Sequence, residues 1–145
     1  MTKTLAVVAL AIALAACSGG GSEPQKAYER FAEAILRGQE DVAAGLFEGD
    51  EVREALKDEA SYTPPWMEAF FGAAYKYESE KKAGKAVDLV VLQTVRYDPS
   101  GATSAFGAMT AQFRHNVRVE KRAGGSKVVS FRSELLKTWE TRTGP

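Results

Sequence analysis

The residues that could do chemistry in this 145-residue chain are few and widely separated. His115 is the only histidine, and its position in an alternating segment places it opposite Ser133 across a predicted hairpin. A histidine beside a serine could begin a nucleophilic pair, but that pair also needs an orienting carboxylate and oxyanion donors. No nucleophile-elbow sequence is present. The favoured interpretation is a half-buried histidine hydrogen-bonded to a hydroxyl, and no catalytic residue is predicted.

Metal and phosphate sites are not predicted either. One histidine and Cys17, the only cysteine, cannot supply a zinc ligand set. No calcium-binding loop with spaced Asp, Asn and Glu residues is present, and no glycine-rich phosphate loop. The glycines at 19–21 lie in a tether, and those at 124–125 lie in a hairpin. The sequence therefore predicts no metal and no dissociable cofactor.

The first sixteen residues have the composition of an export signal. Lys3 precedes an apolar run from Leu5 to Ala13, and small residues follow. This is the arrangement of a secretory signal peptide. The run is shorter than the roughly 17 to 25 residues that cross a bilayer as a helix. We therefore expect residues 1–16 to be removed.

Leu14-Ala15-Ala16-Cys17 resembles the lipobox of bacterial lipoproteins. The resemblance implies cleavage before Cys17, a diacylglycerol on its sulfur and an N-acyl chain on the new amino terminus. Two or three acyl chains anchor a protein stably, whereas one does not. Ser18 stands where an aspartate favours inner-membrane retention in Gram-negative lipoproteins, so we expect the outer membrane, facing the periplasm. The alternatives are an ordinary signal peptide with a chance cysteine, or a core cysteine in an uncleaved chain.

The expected organisation is a lipidated cysteine and tether at 17–23, followed by one domain at 24–145. The remaining length suits one domain with a real core. Residues 17–70 carry twelve Asp and Glu against five Lys and Arg, and residues 71–145 carry seven against thirteen. The basic residues are not interleaved with aromatics, so no nucleic acid is predicted. They form either solvated faces or a patch for acidic lipid or a partner.

The acidic half predicts short helices. Pro24 begins the first, apolar residues recur from Ala27 to Leu36, and Gly38 ends it. A second helix is predicted from Gln39 to Phe47, and Asp50 can cap a third. A fourth segment follows the prolines at 64–65 and contains Trp66, Met67, Ala69, Phe70 and Phe71.

The basic half predicts strands. Alternation from Met109 to Glu120 indicates a strand with one buried face, and hairpins are predicted about Ala83-Gly84 and over a five-residue loop at 122–126. A turn is expected at Asp98–Gly101. Keeping the apolar residues on one face sets the second hairpin's register. The predicted pairs are Val119–Val129, Val117–Phe131, His115–Ser133, Phe113–Leu135 and Met109–Trp139.

The order of elements and the residue spacing resemble the nuclear-transport-factor-two-like, cystatin-related superfamily. The resemblance is carried by Tyr28-x-x-Phe31-x-x-Ala34-Ile35-Leu36-Arg37-Gly38-Gln39, then by Val42-Ala43-Ala44 and the long strands that follow. The resemblance covers most of residues 24–140. It implies an α+β fold, with N-terminal helices packed on a cone-like, curved antiparallel sheet of about four strands. It also implies a cup, with a possible pocket at His115, Ser133, Tyr77 and Trp66. A plain core packing role is the favoured explanation of these aromatics, because a small domain needs large apolar side chains.

Enzymes of that superfamily resemble one another in using a buried acid as base and a tyrosine or aspartate as oxyanion donor. Asp88 is the one acid within an apolar strand, with Tyr28, Tyr75 and Tyr77 as conceivable partners. Asp88 is opposite in phase to Val87 and Leu89, which argues against an inward position. The first hypothesis is therefore a non-enzymatic lipoprotein that binds a protein partner or an apolar ligand. The alternatives are a subunit of an envelope secretion or pilus assembly, and a small-molecule isomerase or dehydratase with a cup-shaped pocket.

Overall fold

In a computed structural model, the structure describes residues 21–61, 70–97 and 108–141. Three helices come first: α1 (Glu23–Leu36), α2 (Glu40–Ala44) and α3 (Asp50–Ser61). Four strands come after them and form one antiparallel sheet in the order β1-β2-β3-β4. They are β1 (Phe70–Ala83), β2 (Ala86–Tyr97), β3 (Ala108–Arg122) and β4 (Gly125–Thr141). The predicted α+β class with a curved antiparallel sheet is confirmed.

Helix α1 forms where the sequence predicts it. Ser22 caps its first turn, because its side-chain oxygen accepts a hydrogen bond from the Gln25 N–H at 3.3 Å. One face of the helix is buried, and its members recur at three- and four-residue spacing: Ala27, Tyr28, Phe31, Ala32 and Ala34. The chain leaves the helix through Gly38, whose φ of +66° suits a glycine.

The second helix is shorter than predicted. Helix α2 ends at Ala44, whereas the prediction extended to Phe47. The next residues pair with β4 instead: the Val128 N–H donates to the Leu46 carbonyl and the Glu48 N–H donates to the Val128 carbonyl, both at 2.9 Å. Leu46 and Phe47 then pack against the core from this short parallel bridge. Their apolar spacing therefore reflects burial and not a helix.

The first strand overturns part of the fourth segment predicted in the helical half. Phe70 and Phe71 belong to β1, so they lie in a strand and not in the helical half of the chain. The remainder of that segment, including Trp66, lies outside the described residues, as does the turn predicted at 98–101. The β1–β2 hairpin closes on the Ala83–Ala86 pair, and Gly84 has a φ of +62°. Gly84 therefore occupies the first central position of a two-residue turn that needs a positive φ.

The β3–β4 hairpin has a shorter loop than predicted and a bulge. Arg122 pairs with Gly125, so the turn is Ala123-Gly124 and not the five-residue loop. Val119 opposes Val128 instead of Val129, because Val129 is an extra residue between two register positions. The bulge lets Val128 and Phe131 both face the core, where they are 0% and 4% exposed. Beyond it, the predicted pairs Val117–Phe131, His115–Ser133 and Phe113–Leu135 are confirmed.

A second register shift in β4 corrects the position of Trp139. The shift lies between Gln112 and Phe113 on β3, with Leu136 the extra residue on β4. Trp139 consequently opposes Thr110, and Met109 opposes Glu140, so the predicted Met109–Trp139 pair is wrong. Successive residues of a strand face opposite sides, and Thr110 is three residues from Phe113 on β3. Trp139, which opposes Thr110, therefore lies on the sheet face opposite Phe113.

The helices cover only one face of the sheet. The main core joins α1 and α3 to β2, β3 and β4, and a smaller cluster around Val95, Ala111 and Phe113 packs on Leu36. On β2 the core residues alternate as Leu89, Val91, Gln93 and Val95, all at most 1% exposed. The intervening residues, such as Asp88 and Leu92, are half-buried on the outer face.

Candidate functional site

The most buried polar group of the inner face is a tyrosine–histidine pair. Tyr28 Oη of α1 and His115 Nδ1 of β3 share a hydrogen bond of 2.7 Å. The two residues are 0% and 1% exposed. The His115 ring is packed by Phe131, with ring centroids 4.8 Å apart, and by Phe113 at 6.0 Å. The hydrogen bond pairs two buried polar atoms with each other and connects α1 to the sheet.

Two further tyrosines of β1 surround the pair. The Tyr75 and Tyr77 rings meet the Tyr28 ring edge-on, with centroids 5.6 and 6.3 Å away. The Tyr77 hydroxyl donates to Glu29 Oε1 at 2.7 Å and to the Gln25 carbonyl at 3.4 Å. Burial raises the pKa of Tyr75 to about 12, although its contact with Gln93 opposes the shift. Burial and the Glu29 carboxylate also raise the pKa of Tyr77.

These groups have the chemistry of a packed polar core. Both β1 tyrosines keep their protons at neutral pH, because their pKa values lie above the ordinary value of 10. Tyr28 and His115 present almost no surface to solvent. A substrate could not contact that pair unless α1 moved away from the sheet.

The residues of the predicted pocket are only partly brought together. Ser133 opposes His115 in the strand register but is exposed, and Tyr28 makes the 2.7 Å bond to Nδ1. Tyr77 is half-buried beside Tyr28, and Trp66 lies outside the described residues. A surface depression in the described chain is lined by residues 38–42 of the α1–α2 turn, which include none of these four.

Asp88, the candidate base of the enzyme hypothesis, lies on the outer face. Its two carboxylate oxygens accept bonds from Arg118 Nε at 2.7 Å and Arg118 Nη2 at 3.0 Å. The arginine holds the pKa of Asp88 below the ordinary value of 3.8. A general base that works near neutrality needs a raised pKa, so this environment argues against that role.

The Asp88–Arg118 pair gives a pH-dependent prediction. We expect Arg118→Gln to return the Asp88 pKa towards its ordinary value, because the paired cation is gone. The depressed pKa of Asp88 stabilises the folded protein at pH values above the unfolded-state pKa of this carboxyl. That stabilisation is lost as the pH falls through the folded-state pKa. The pair is about half exposed, so solvent screening should keep the loss small.

Carboxyl chemical shifts measured against pH would report the Asp88 pKa in both proteins. Arg53→Gln, which removes an exposed helical partner of Asp50, is the control and should leave the Asp88 titration unchanged. An Asp88 pKa that does not rise in Arg118→Gln would contradict the pairing.

The outer edge of β4 is a second candidate surface. The Leu46–Glu48 segment covers β4 at Val128, and β4 is the last strand of the described sheet. Beyond Val128, no described strand pairs with its outer edge. Leu135 and Trp139 of this part of β4 are 43% and 39% exposed, and Lys137 Nζ lies 5.0 Å from the Trp139 ring centroid. An edge with exposed apolar side chains can pair with another chain.

The described ranges contain neither a metal-binding cluster nor a membrane span. Within 21–61, 70–97 and 108–141, no cluster of three or more His, Cys, Asp and Glu could hold a metal ion. In those ranges, no helix has the length and apolarity needed to cross a bilayer. The chain matches no known protein family, no curated protein and no solved structure.

Proposed function

We propose that this chain is an outer-membrane lipoprotein, anchored through Cys17 and facing the periplasm. Its α+β domain acts as a non-enzymatic module that binds a protein partner. The observation that carries the binding role is the open edge of β4 with exposed Leu135 and Trp139. The anchor follows from the lipobox-like Leu14–Cys17 segment and from its spacing to the domain.

That spacing supports a short tether. Cys17 stands four residues before Gly21, and Ser22 already caps α1. Four extended residues reach at most about 14 Å, so an anchored domain would stay beside the membrane. Diacylglycerol and an N-acyl chain on Cys17 together would supply the two signals that stable anchoring needs.

The β4 edge supports a protein partner because it offers two kinds of contact. Its outward N–H and C=O groups can extend the sheet, and pockets for alternate side chains then give specificity. Leu135 and Trp139 lie on opposite faces of the strand, since the bulge at Leu136 separates them. A partner strand with apolar residues could therefore pack on either side of this edge.

The same edge favours a second candidate, a subunit of an envelope secretion or pilus assembly, because such assemblies join chains by strand addition. An isomerase or dehydratase is not favoured by any described group. Asp88 is held in an outward ion pair, and the buried Tyr28–His115 pair lies under α1.

Photo-crosslinking in cells tests the β4 edge. A photoreactive phenylalanine analogue at Leu135 or Trp139 should give a discrete protein adduct, and the same analogue at Glu54 of α3 should not. Leu135→Asp combined with the analogue at Trp139 should weaken the adduct, because a strand that pairs along this edge has side chains on both faces, and a charge at Leu135 disfavours its apolar contacts on one of them. The matched control is Val42→Asp, which alters a 52% exposed apolar residue of α2.

An adduct that Val42→Asp removes equally, or one that forms equally from Glu54, would contradict a specific edge site. The size of the detergent-solubilised complex separates the two candidates. A single partner supports the binding module, and a large multi-subunit particle supports the envelope assembly.

A further inference from the structure

The two hairpin tips of the sheet carry the same five-residue pattern. Residues 80–84 read Glu-Lys-Lys-Ala-Gly and residues 120–124 read Glu-Lys-Arg-Ala-Gly. The tips lie at one end of the sheet, because the strands run antiparallel in the order β1-β2-β3-β4. They also touch: the Lys121 N–H donates to the Lys85 carbonyl at 3.4 Å. The turns are separated by two strand spacings, roughly 10 Å.

The two hairpin tips carry a surplus of positive charge. Residues 80–86 and 120–127 contain six Lys and Arg against two Glu, which leaves four positive charges. Arg122 is held by Glu48 and Glu120, and Lys127 donates to the Gly45 carbonyl. In the described chain, no carboxylate lies within ion-pair distance of the other four ammonium groups, which are exposed: Lys81, Lys82, Lys85 and Lys121.

Small residues separate these lysines at both turns. Ala83 and Gly84 stand at one tip, and Ala123, Gly124 and Gly125 stand at the other. A Cβ added at Gly84 or Gly124 would have no neighbouring atom within 4 Å, so the tips are open to solvent. The result is a set of exposed lysines spread over two open turns, which suits an extended anionic surface and not a single enclosed anion.

The chain that leads to Cys17 enters the domain at this same end. The Gln25 side chain connects the entering chain to β1. Its Oε1 accepts a hydrogen bond from the Gly21 N–H at 3.0 Å, and its Nε2 donates to Glu80 Oε2 at 2.8 Å. Glu80 is three residues from the end of β1, about 10 Å along the strand. The tips and the proposed lipid attachment are therefore within one short tether of each other.

We propose that the two tips dock the domain on anionic phospholipid headgroups of the membrane that holds Cys17. The inference rests on the proposed anchor, which selects the membrane and the end of the domain that faces it. Lysines beside a bilayer are attracted by anionic lipids over about one Debye length, about 10 Å at 0.1 M salt. With the tips on the headgroups, the strands stand away from the bilayer and the β4 edge points sideways to a partner.

The test uses the intact protein purified in detergent and reconstituted into vesicles. A fluorophore is attached at Ala123→Cys, and a control fluorophore at Asn116→Cys, about 20 Å from the tip along β3. A nitroxide on the lipid headgroup reports proximity by quenching. We expect strong quenching at Ala123 in vesicles containing phosphatidylglycerol, weaker quenching in pure phosphatidylcholine, and little at Asn116. Salt near 1 M, where the Debye length is about 3 Å, should relieve it.

Charge variants decide between specific docking and general attraction. Neutralising the tips with K81Q/K82Q/K85Q/K121Q should lower the ratio of docked to undocked protein at least about tenfold. K57Q/K76Q/R132Q/K137Q removes the same number of positive charges away from the tips and should leave the ratio nearly unchanged. The quartet K81R/K82R/K85R/K121R should retain docking, which guards against a folding defect. Equal quenching in both lipids, or equal loss in both neutral quartets, would overturn the proposal.

The anchor and the docking can fail separately. The mass of the N-terminal peptide from the same preparation reports lipid on Cys17. A lipidated protein whose tips remain unquenched would overturn the docking alone. A protein without lipid that sediments with anionic vesicles, and loses this in the tip quartet, would overturn the anchor alone.

Discussion

Replacement of Cys17 by serine is expected to abolish both the proposed lipid modification and the proposed outer-membrane location. The sulfur of Cys17 is the proposed attachment atom for diacylglycerol, and a serine hydroxyl cannot form the thioether. Since stable anchoring needs at least two acyl chains, their loss should release the chain from the outer membrane. Density-gradient fractionation of envelopes, with an antibody to the domain, would measure the redistribution.

The matched control for that substitution is Ser18→Ala, which changes the neighbouring residue and keeps the thiol. It should fractionate as the parent protein does. If Cys17→Ser remained in the outer-membrane fraction at the parental level and with parental processing, the lipobox interpretation would be contradicted.

Truncation of Phe31 is expected to have the largest effect on folding stability. Phe31 is fully buried, and its ring meets Phe131 and Phe47 edge-on, with centroids 5.3 and 6.2 Å away. Phe31→Ala should cost about 3 to 5 kcal/mol, from lost burial and the cavity left between α1 and β4. That is a large part of the roughly 5 to 15 kcal/mol that stabilises a domain.

Urea denaturation followed by tryptophan fluorescence would measure the change. Leu135→Ala removes a side chain that is 43% exposed and should cost less than about 1 kcal/mol, so it serves as the control. A Phe31→Ala protein as stable as Leu135→Ala would show that α1 does not pack on the sheet as described.

The sequence predicted the fold class because the two halves have different hydrophobic periods. The three- and four-residue spacing around Tyr28 and Phe31 predicts α1, and alternation around His115 predicts β3. Both elements are found at nearly the predicted positions. The inward position of His115 and its register with Ser133 also followed from this alternation.

The differences between the predicted and the observed elements come from single residues and pairings that hydrophobic periodicity does not reveal. Each bulge inserts one residue into β4, at Val129 and at Leu136, and changes the face on which the next residues of the strand lie. Strict alternation therefore predicts the wrong face for Trp139. Leu46 and Phe47 matched a helical spacing but are held in a bridge to Val128, a tertiary pairing that local sequence does not specify.

The partners of the candidate site were also not predictable from spacing alone. Tyr28 bonds His115 across 87 positions, and Asp88 bonds Arg118 across 30. The sequence shows an excess of Lys and Arg in residues 71–145 but does not show where on the fold these residues gather. The repeated pattern at 80–84 and 120–124 was visible in the sequence, and the strand order then brings both copies to one end.

The lipid anchor on Cys17 is decided by the mass of the N-terminal peptide of the mature protein. We expect the chain to begin at Cys17 and this residue to carry the added mass of a diacylglycerol and one further acyl chain. A mature chain that retains residues 1–16, or that carries an unmodified thiol at Cys17, would contradict the anchor.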